Sequence, residues 1–191
     1  MNKFSGKTIA IANQKGGVGK TTTTVNLSSY LAVTEVPVLL IDMDPQANAT
    51  TGLGIEAGSY KNSVYDVLIG EKSIKDCIIE TNVNYLNILP SSPQLVGAEI
   101  ELVNMYSRES MLRNAIKEIS NEYEFILIDS PPSLGLLTVN VLTAANSILI
   151  PIQCEYYALE GLSQLLNTIR LVQKHLNKAV SYTHLTLPTK A

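Results

Sequence analysis

Residues 14–24 read QKGGVGKTTTT, a glycine-rich run that follows a short apolar segment and opens a predicted helix. Its glycines let the backbone curl so that successive N–H groups point at phosphate oxygens, and the dipole of the following helix strengthens that attraction. Lys20 is suited to contact the β- and γ-phosphates, and the Thr21 hydroxyl to bind Mg²⁺. The run therefore predicts a phosphate-binding loop between a strand and a helix.

This run departs from the ordinary pattern G-x-x-x-x-G-K-[ST] at one position and carries an additional lysine. Gln14 stands where the pattern has its first glycine, and Lys15 adds a second lysine that no contact within one chain obviously requires. A plain glycine-rich turn is the alternative interpretation. The order of strand, glycines, Lys-Thr and helix argues against it, because a phosphate site needs all four in that order.

Short apolar runs alternate with helix-length segments along the chain. The runs that predict strands lie at 7–13, 37–42, 85–91, 125–129 and 147–153. The segments with helical spacing lie at 20–33, 62–69, 94–106, 109–120, 135–145 and 158–176. Nearly continuous apolar strands between helices indicate an α/β fold, with a mainly parallel sheet and helices on both faces. Ligands of such sheets bind beyond the carboxyl ends of the strands, so we expect the site there.

The second apolar run ends in two carboxylates. In LLIDMDPQANAT, residues 39–50, Asp42 and Asp44 come just before Pro45 stops the strand, and alternation predicts that both lie on the same side. Either carboxylate could position a water or a metal shell near the terminal phosphate. In the other interpretation, which we favour, Asp42 supports the strand end and only Asp44 reaches the site.

The fourth apolar run opens the stretch FILIDSPPSLG, residues 125–135. Four apolar residues followed by Asp129 are typical of the acid that holds Mg²⁺, usually through a water, in phosphate-loop enzymes. Many buried strands end in aspartate, so the pattern becomes specific only beside a glycine loop. Pro131 and Pro132 are expected to stiffen the segment that follows.

The composition indicates one soluble globular domain. The chain has 191 residues, 46% of them hydrophobic, and its net charge of −3 gives no overall basic footprint for nucleic acid or an acidic membrane. Cys77 and Cys154 lie far apart and predict reduced, unpaired thiols. We expect no signal peptide and no membrane span in the uncharged stretch 130–154, which prolines interrupt. Glu99 is expected on the solvated face of its helix.

Five stretches carry a family resemblance. They read KGGVGKTTTTVNLS, LLIDMDPQANATTGLG, SVYDVL, FILIDSPPSLGLLTVNVL and PIQCEYYALEGLSQLL. They resemble the ParA/Soj family of chromosome and plasmid partition ATPases, in the deviant Walker A class of P-loop NTPases, and the likeness runs from about residue 6 to residue 178. MinD proteins share the loop but differ where this chain has DPQANAT. Nitrogenase iron proteins carry a cysteine after the magnesium-loop aspartate, and residues 130–135 contain none.

The resemblance implies Mg²⁺-dependent ATP hydrolysis by a homodimer in which two chains sandwich two nucleotides. Lys20 would act in its own chain, Lys15 would reach the partner's nucleotide phosphates, and Asp44 would orient the attacking water. The implied metal contacts are Thr21, Asp129 through a water and, as a further candidate through a water, Asp44. The implied nucleotide contacts are Lys15, Gly16, Gly17, Val18, Gly19, Lys20, Thr21 and Thr22.

The resemblance also implies partners and a missing segment. Dimers of this family bind DNA non-specifically, a ParB-type centromere-binding protein stimulates their hydrolysis, and they work in the cytoplasm on the nucleoid without a membrane. The family continues through a further strand and helices that contact adenine and DNA. We therefore expect an ATPase domain at 1–178 whose C-terminal part is missing, and a non-family tail at 179–191. For these 191 residues we expect weak nucleotide binding and no DNA retention.

Three other interpretations stay open at this point. A membrane-associated division-site ATPase of the MinD type would need a C-terminal amphipathic helix, and the DPQANAT loop argues against it. A metabolic P-loop ligase or reductase is weakened by the lack of cluster-binding cysteines. A fragment without activity is the last interpretation, and a non-cooperative melt would identify it.

Overall fold

The computed structural model describes residues 4–56, 58–153 and 158–187. Its strands are β1 Lys7–Ile11, β2 Val38–Asp42, β3 Ile79–Glu80, β4 Leu86–Leu89, β5 Phe125–Asp129, β6 Ser147–Gln153 and β7 Ser181–Leu187. They form one sheet in the order β3-β4-β2-β5-β1-β6-β7. The short β3 runs antiparallel to β4, and every other pair is parallel. The predicted, mainly parallel sheet is confirmed.

Helices connect these strands and flank the sheet. They are α1 Lys20–Val33, α2 Asn48–Gly52, α3 Val64–Leu68, α4 Leu95–Leu102, α5 Met111–Lys117, α6 Leu136–Ala144 and α7 Ala158–His175, with 3₁₀ turns at Ile74–Asp76 and Arg108–Ser110. In the ranges that the structure describes, no helix combines the length and the apolar character needed to cross a membrane.

Two predicted helices are shorter than expected. The helix predicted at 94–106 ends at Leu102, and the one predicted at 109–120 begins as a 3₁₀ turn and becomes α5 only at Met111. Ser107, between them, has a φ of 55°, in the left-handed region that a continuous helix does not allow.

Three short or marginal elements were not predicted from the sequence. β3 has two residues and α2 has five, too few for a periodic pattern. β7 mixes polar and apolar residues, and it pairs with β6 over the whole range Ser181–Leu187. The domain boundary at residue 178 stays a prediction. Cys77 is a buried free thiol whose pKa burial raises to about 11, and Cys154 lies outside the described residues.

Strand alternation sends side chains into two separate cores. From β2, Leu39 and Ile41 join the larger core beneath α3 to α7, whereas Val38 and Leu40 join the smaller core beneath α1 and α2. Every residue of β2 is buried as a result. Burial on both faces explains why the central strands are nearly continuous apolar runs.

Three central strands end side by side. Asp129, the last residue of β5, is level with Ile11 of β1 and with Asp42 of β2. Just beyond the ladder, the Met43 N–H donates to the Asp129 carbonyl at 3.0 Å, and the Ser130 N–H donates to the Ile11 carbonyl at 3.2 Å. The three loops that carry the predicted chemistry therefore leave the sheet at one place.

The far end of α6 is closed by a side chain from the segment after α7. Asn177 Nδ2 donates to the carbonyl oxygens of Leu142, Thr143 and Ala145, at 3.3, 3.0 and 2.7 Å. Carbonyls at a helix C-terminus have no partner inside the helix, so this amide supplies one.

We expect Asn177→Ala to lower the free energy of unfolding by about 1–3 kcal/mol, because it leaves these carbonyls without a donor. Asn177→Asp, of the same size but unable to donate when ionised, should lose at least as much. Urea unfolding measures both, with Asn104→Ala at an exposed position as the control. An Asn177→Ala midpoint equal to that of Asn104→Ala would contradict this account.

Candidate functional site

The glycine run forms the loop between β1 and α1, as predicted. Gly17 and Gly19 have φ values of 73° and 85°, in the region that side chains with a Cβ rarely adopt. Gly19 directly precedes α1, and no side chain caps the start of that helix. The first N–H groups of α1 therefore face outward with the positive end of the helix dipole, an arrangement that attracts an anion.

Polar side chains that the sequence did not single out hold this loop from behind. Asn13 Nδ2 donates to the Pro151 carbonyl at 2.7 Å, and its Oδ1 accepts the Lys15 N–H at 3.1 Å. Gln153 Nε2 donates to the Gly17 carbonyl at 3.2 Å. The loop is thus fixed against the end of β6. In the sequence, Asn13 and Gln153 are marked only as polar residues at the end of an apolar run.

An open cleft of about 500 Å³ lies above the carboxyl edge of the sheet. Its walls are Gly16, Gly17, Gly19, Lys20, Thr21, Thr22, Asp44, Gln46, Asn48 and Pro132. All three predicted loops contribute to these walls. Among the predicted site residues, Val18 is buried beneath the loop, Asp129 lies under the floor, and Lys15 stands outside the walls. Gln46 and Asn48 were not predicted, because the DPQANAT segment gave no reason to choose them.

Lys20 is buried at the base of the loop. Its Nζ donates to the Lys15 carbonyl at 3.1 Å. Burial lowers the pKa of Lys20, and the charges of Asp129 and Asp44 oppose that shift. The ammonium group therefore depends on nearby carboxylates, and a phosphate in the cleft would strengthen its charged form in the same way.

Asp129 is fully buried below the cleft. Its Oδ1 accepts a hydrogen bond from Thr24 Oγ1 at 3.2 Å, and its Oδ2 has no partner among the described residues. Burial raises the pKa of Asp129 to about 7, against the opposing effect of the Thr21 and Thr24 hydroxyls. A buried carboxylate oxygen without a donor is unfavourable, so this position suits a cation or a cation-bound water.

Asp42 and Asp44 have different surroundings. Asp42 accepts the Asp44 N–H at 3.1 Å and both the N–H and the hydroxyl of Thr50 at 2.8 Å, and burial raises its pKa to about 6. Asp44 lines the cleft, and its Oδ1 accepts the Gln46 N–H at 3.0 Å. Strand alternation does not carry to Asp44, because β2 ends at Asp42. Asp42 therefore has the supporting surroundings that we favoured.

The donor set of the cleft fits Mg²⁺ only in combination with phosphate. Within the ranges described, no three His, Cys, Asp or Glu side chains come together as a metal cage. The cleft offers the Thr21 hydroxyl, the Asp129 carboxylate below it and Asp44 at its side. Magnesium commonly binds through one or two protein oxygens plus waters and substrate phosphates, which such a sparse set allows.

A phosphate cradle at the start of a helix, beyond the carboxyl edge of a parallel sheet, is the feature that defines P-loop nucleotide-binding proteins. This chain is one of them. The profile of the AAA domain family matches residues 6–182. The chain belongs to that family, among the ATPases of the Soj and ParA type. The resemblance noted in the sequence is confirmed.

Individual relatives show which members of the family this chain resembles. The sporulation initiation inhibitor protein Soj of Bacillus subtilis (strain 168) is 60% identical over 172 residues, which are 90% of this chain and 68% of Soj. The chromosome partitioning protein ParA of Myxococcus xanthus (strain DK1622) is 54% identical over 90% of this chain and 61% of ParA. This chain thus spans about two thirds of their length.

A solved structure matches the fold closely. Cobyrinic acid a,c-diamide synthase from Mycobacterium smegmatis, with a bound ATP analogue and magnesium, superposes with a TM-score of 0.91. It is 37% identical, and the match covers 95% of this chain and 74% of that one. The predicted P-loop fold is confirmed by this likeness.

The buried Asp129 predicts a pH dependence of stability in the metal-free protein. Its pKa is raised from the ordinary 3.8 to about 7, so the folded state binds this proton more tightly than the unfolded state. The contribution of Asp129 to the free energy of unfolding should therefore fall as pH rises from about 4 to about 8. Asp129→Asn lacks this titration, so its stability relative to the wild type should rise across the same window.

Thermal melts of both proteins in EDTA, at several pH values in this window, test the prediction. Wild-type and Asp129→Asn stabilities that change in parallel with pH would contradict it.

Proposed function

We propose that the cleft binds ATP with Mg²⁺ and that the chain hydrolyses ATP as a partition ATPase of the Soj/ParA type. The proposal depends on the grouping of three features at one cleft. Among the described residues, these are the uncapped start of α1, the buried Lys20 and the unpaired Oδ2 of Asp129. An anion bound with a divalent cation satisfies all three. The name of the Myxococcus xanthus relative, chromosome partitioning protein ParA, supports chromosome partitioning, and the ligands of the solved synthase support ATP and magnesium.

In this proposal the phosphates occupy the loop and the start of α1. Lys20 exchanges the Lys15 carbonyl for phosphate oxygens, to which its charge is better matched. Thr21 binds the Mg²⁺ directly, Asp129 holds it through a water, and Asp44 is a further candidate through a water. Bound Mg²⁺ supplies positive charge that offsets the negative charge of the phosphates.

The hydrolytic step is proposed to need a residue from a second chain. Asp44, on the cleft wall, orients the attacking water, while Lys20 stabilises charge within its own chain. Lys15 stands outside the walls of its own cleft, with its backbone held by Asn13 and Lys20. That position supports an action on the partner's nucleotide, which would make hydrolysis depend on dimerisation.

The wider role is proposed from the class of relatives. ATP-dependent dimers would bind DNA non-specifically on the nucleoid, in the cytoplasm, and a ParB-type protein would stimulate hydrolysis. The net charge of −3 gives no overall basic surface, so any DNA contact would be a local patch. The 60% identity with Soj, against 37% with the solved synthase, supports this class over the metabolic alternative, and the DPQANAT segment argues against the MinD-like one.

In a chain that continues through a complete C-terminal part of the family type, replacing each of the two lysines should have a different effect. Lys20→Ala should weaken ATP binding at least about tenfold, because a charged contact to phosphate is lost. Lys15→Gln should keep ATP binding but lose ATP-dependent dimerisation and hydrolysis. Calorimetry and light scattering with ATP and Mg²⁺ measure these effects, and Lys117→Gln, exposed on α5, is the control.

Normal dimerisation and hydrolysis by Lys15→Gln would exclude its action between chains. Unchanged ATP affinity of Lys20→Ala would exclude the phosphate site itself.

Replacing Asp44 and replacing Asp129 should also affect different steps. Asp44→Ala should keep ATP bound while hydrolysis falls about 10²–10⁴-fold, because a water-orienting group is lost. Asp129→Ala should instead weaken the Mg²⁺-dependent part of ATP binding. Single-turnover hydrolysis and binding with and without Mg²⁺ distinguish the two. If Asp44→Ala binds ATP poorly yet hydrolyses bound ATP at the normal rate, the roles are assigned wrongly.

A further inference from the structure

Asp44 lies in a turn beyond the end of the sheet. The strand β2 ends at Asp42, and Pro45, which follows Asp44, has no N–H to donate. The turn is closed from within, because the Gln46 N–H donates to Asp44 Oδ1 at 3.0 Å and the Ala47 N–H donates to the Asp44 carbonyl at 2.9 Å. Ala47 is buried with a φ of 53°, in the left-handed region that alanine seldom adopts. Such a conformation persists where neighbouring segments hold it.

Ser91 holds this turn from the neighbouring strand. It comes two residues after β4, which pairs with β2 in parallel so that Leu89 is level with Ile41. The Ser91 hydroxyl, which has no solvent exposure, donates to the Asp44 carbonyl at 2.6 Å. The Asp44 N–H donates to Asp42 Oδ1 at 3.1 Å. The backbone of Asp44 is thus held at both its N–H and its carbonyl.

Ser91 is itself fixed through its backbone. Its N–H donates to Thr50 Oγ1 at 3.2 Å, and the Tyr60 hydroxyl donates to its carbonyl. Thr50, which is also without exposure, donates both its N–H and its hydroxyl to Asp42 Oδ2 at 2.8 Å. Hydrogen bonds therefore connect Asp42, through Thr50 and Ser91, to the Asp44 carbonyl. If the Ser91 hydroxyl turned away, a buried donor would lose its partner, which is unfavourable.

The position of the Asp44 carboxylate follows from that of its backbone. The side chain is short, lines the cleft and accepts the Gln46 N–H, so a shift of the turn would move the carboxylate with it. Displacing a catalytic group by about 1 Å can cost on the order of 10²-fold in rate. Ser91 is not a wall of the cleft, and Lys20 and Thr21, which are proposed to bind phosphate and Mg²⁺, lie on another segment. Loss of the Ser91 hydroxyl should therefore affect hydrolysis rather than binding.

The Pro132 wall of the cleft is held by a different contact. Glu99 was expected on the solvated face of its helix, and the structure corrects this: its Oε1 accepts the Leu137 N–H at 3.4 Å, at the start of α6. A Cβ on Gly135 would overlap Glu99 Oε1, so only glycine allows this approach. Sequence reasoning missed this contact because Glu99 and Leu137 are distant in the chain. The contact does not involve Ser91, so replacing Ser91 should leave the Pro132 wall unchanged.

We propose that Ser91 is a positioning residue for Asp44, and that its hydroxyl holds the Asp44 carboxylate where it orients the water that attacks ATP. The inference rests on the proposed function, because Ser91 acts through Asp44. Its role is to keep the turn in one arrangement before nucleotide binds. Little reorganisation is then left for the hydrolytic step, which is the condition for effective electrostatic catalysis.

In the nucleotide-free chain, Ser91→Ala should loosen the turn. The amide protons of Asp44, Ala47 and Thr50 should exchange with solvent at least about fivefold faster, because one hydrogen bond that opposes local opening is lost. Amide protons of the central strand β5 should exchange as in the wild type. Hydrogen exchange followed by NMR measures both sets. Ser28→Ala is the matched control, because Ser28 is equally buried on α1 and its hydroxyl has no partner among the described residues.

Hydrolysis is measured in a chain that continues through a complete C-terminal part of the family type. Ser91→Ala should slow single-turnover hydrolysis about 10–100-fold while ATP affinity stays within about twofold, because the displaced group is not a binding group. In an Asp44→Ala background the same substitution should change the rate by less than about twofold, because the group that Ser91 positions is gone. Ser28→Ala should hydrolyse normally, and so should Asn177→Ala, which controls for a loss of stability far from the cleft.

The outcomes separate this inference from the proposed function. If Asp44→Ala slows hydrolysis and Ser91→Ala does not, Ser91 is not a positioning residue and the proposed function stands. If Ser91→Ala weakens ATP binding in proportion, or slows hydrolysis equally with and without Asp44, the inference fails. If Asp44→Ala hydrolyses normally, the proposed role of Asp44 fails and the inference with it. Should Ser91→Ala not fold, Tyr60→Phe, which removes the donor to the Ser91 carbonyl, decides the matter by the same measurements.

Discussion

The charge of Asp129 is the constraint on which the site depends. This carboxylate lies without solvent contact at the end of β5, and burying a charge is unfavourable unless opposite charge or hydrogen bonds compensate it. Lys20 and the Thr24 hydroxyl compensate part of it. The position exists because three parallel strands end at one level and both faces of the sheet are covered. The sheet topology therefore creates the buried position of the carboxylate on which the proposed phosphate site depends.

The centre of the fold could be predicted because buried parallel strands contain few polar residues. The strands β3 and β7 lie at the two edges of the sheet, and neither has a continuous apolar run in its sequence. In the site, Lys20 and Asp44 follow from patterns within one short segment. Asn13 and Thr24 could not be found that way, since their partners Pro151 and Asp129 lie 138 and 105 positions away.

Two walls of the cleft share one support. The helix α4 is eight residues long, about 12 Å, and its buried side fixes it to the larger core. Ser91 at its approach and Glu99 on its second turn reach different loops. The Asp44 wall and the Pro132 wall are thus both connected to α4 and its approach.

The two edges of the sheet differ in how readily another strand could pair with them. At one edge β3 is only two residues long and antiparallel, a form that discourages further strand pairing. At the other edge β7 runs for seven residues, and no described strand pairs with its outer side. A long open edge is a template for strand addition. Among the described strands, the outer N–H and C=O groups of β7 are therefore the ones that a further strand could pair with, whether it comes from the same chain or from another.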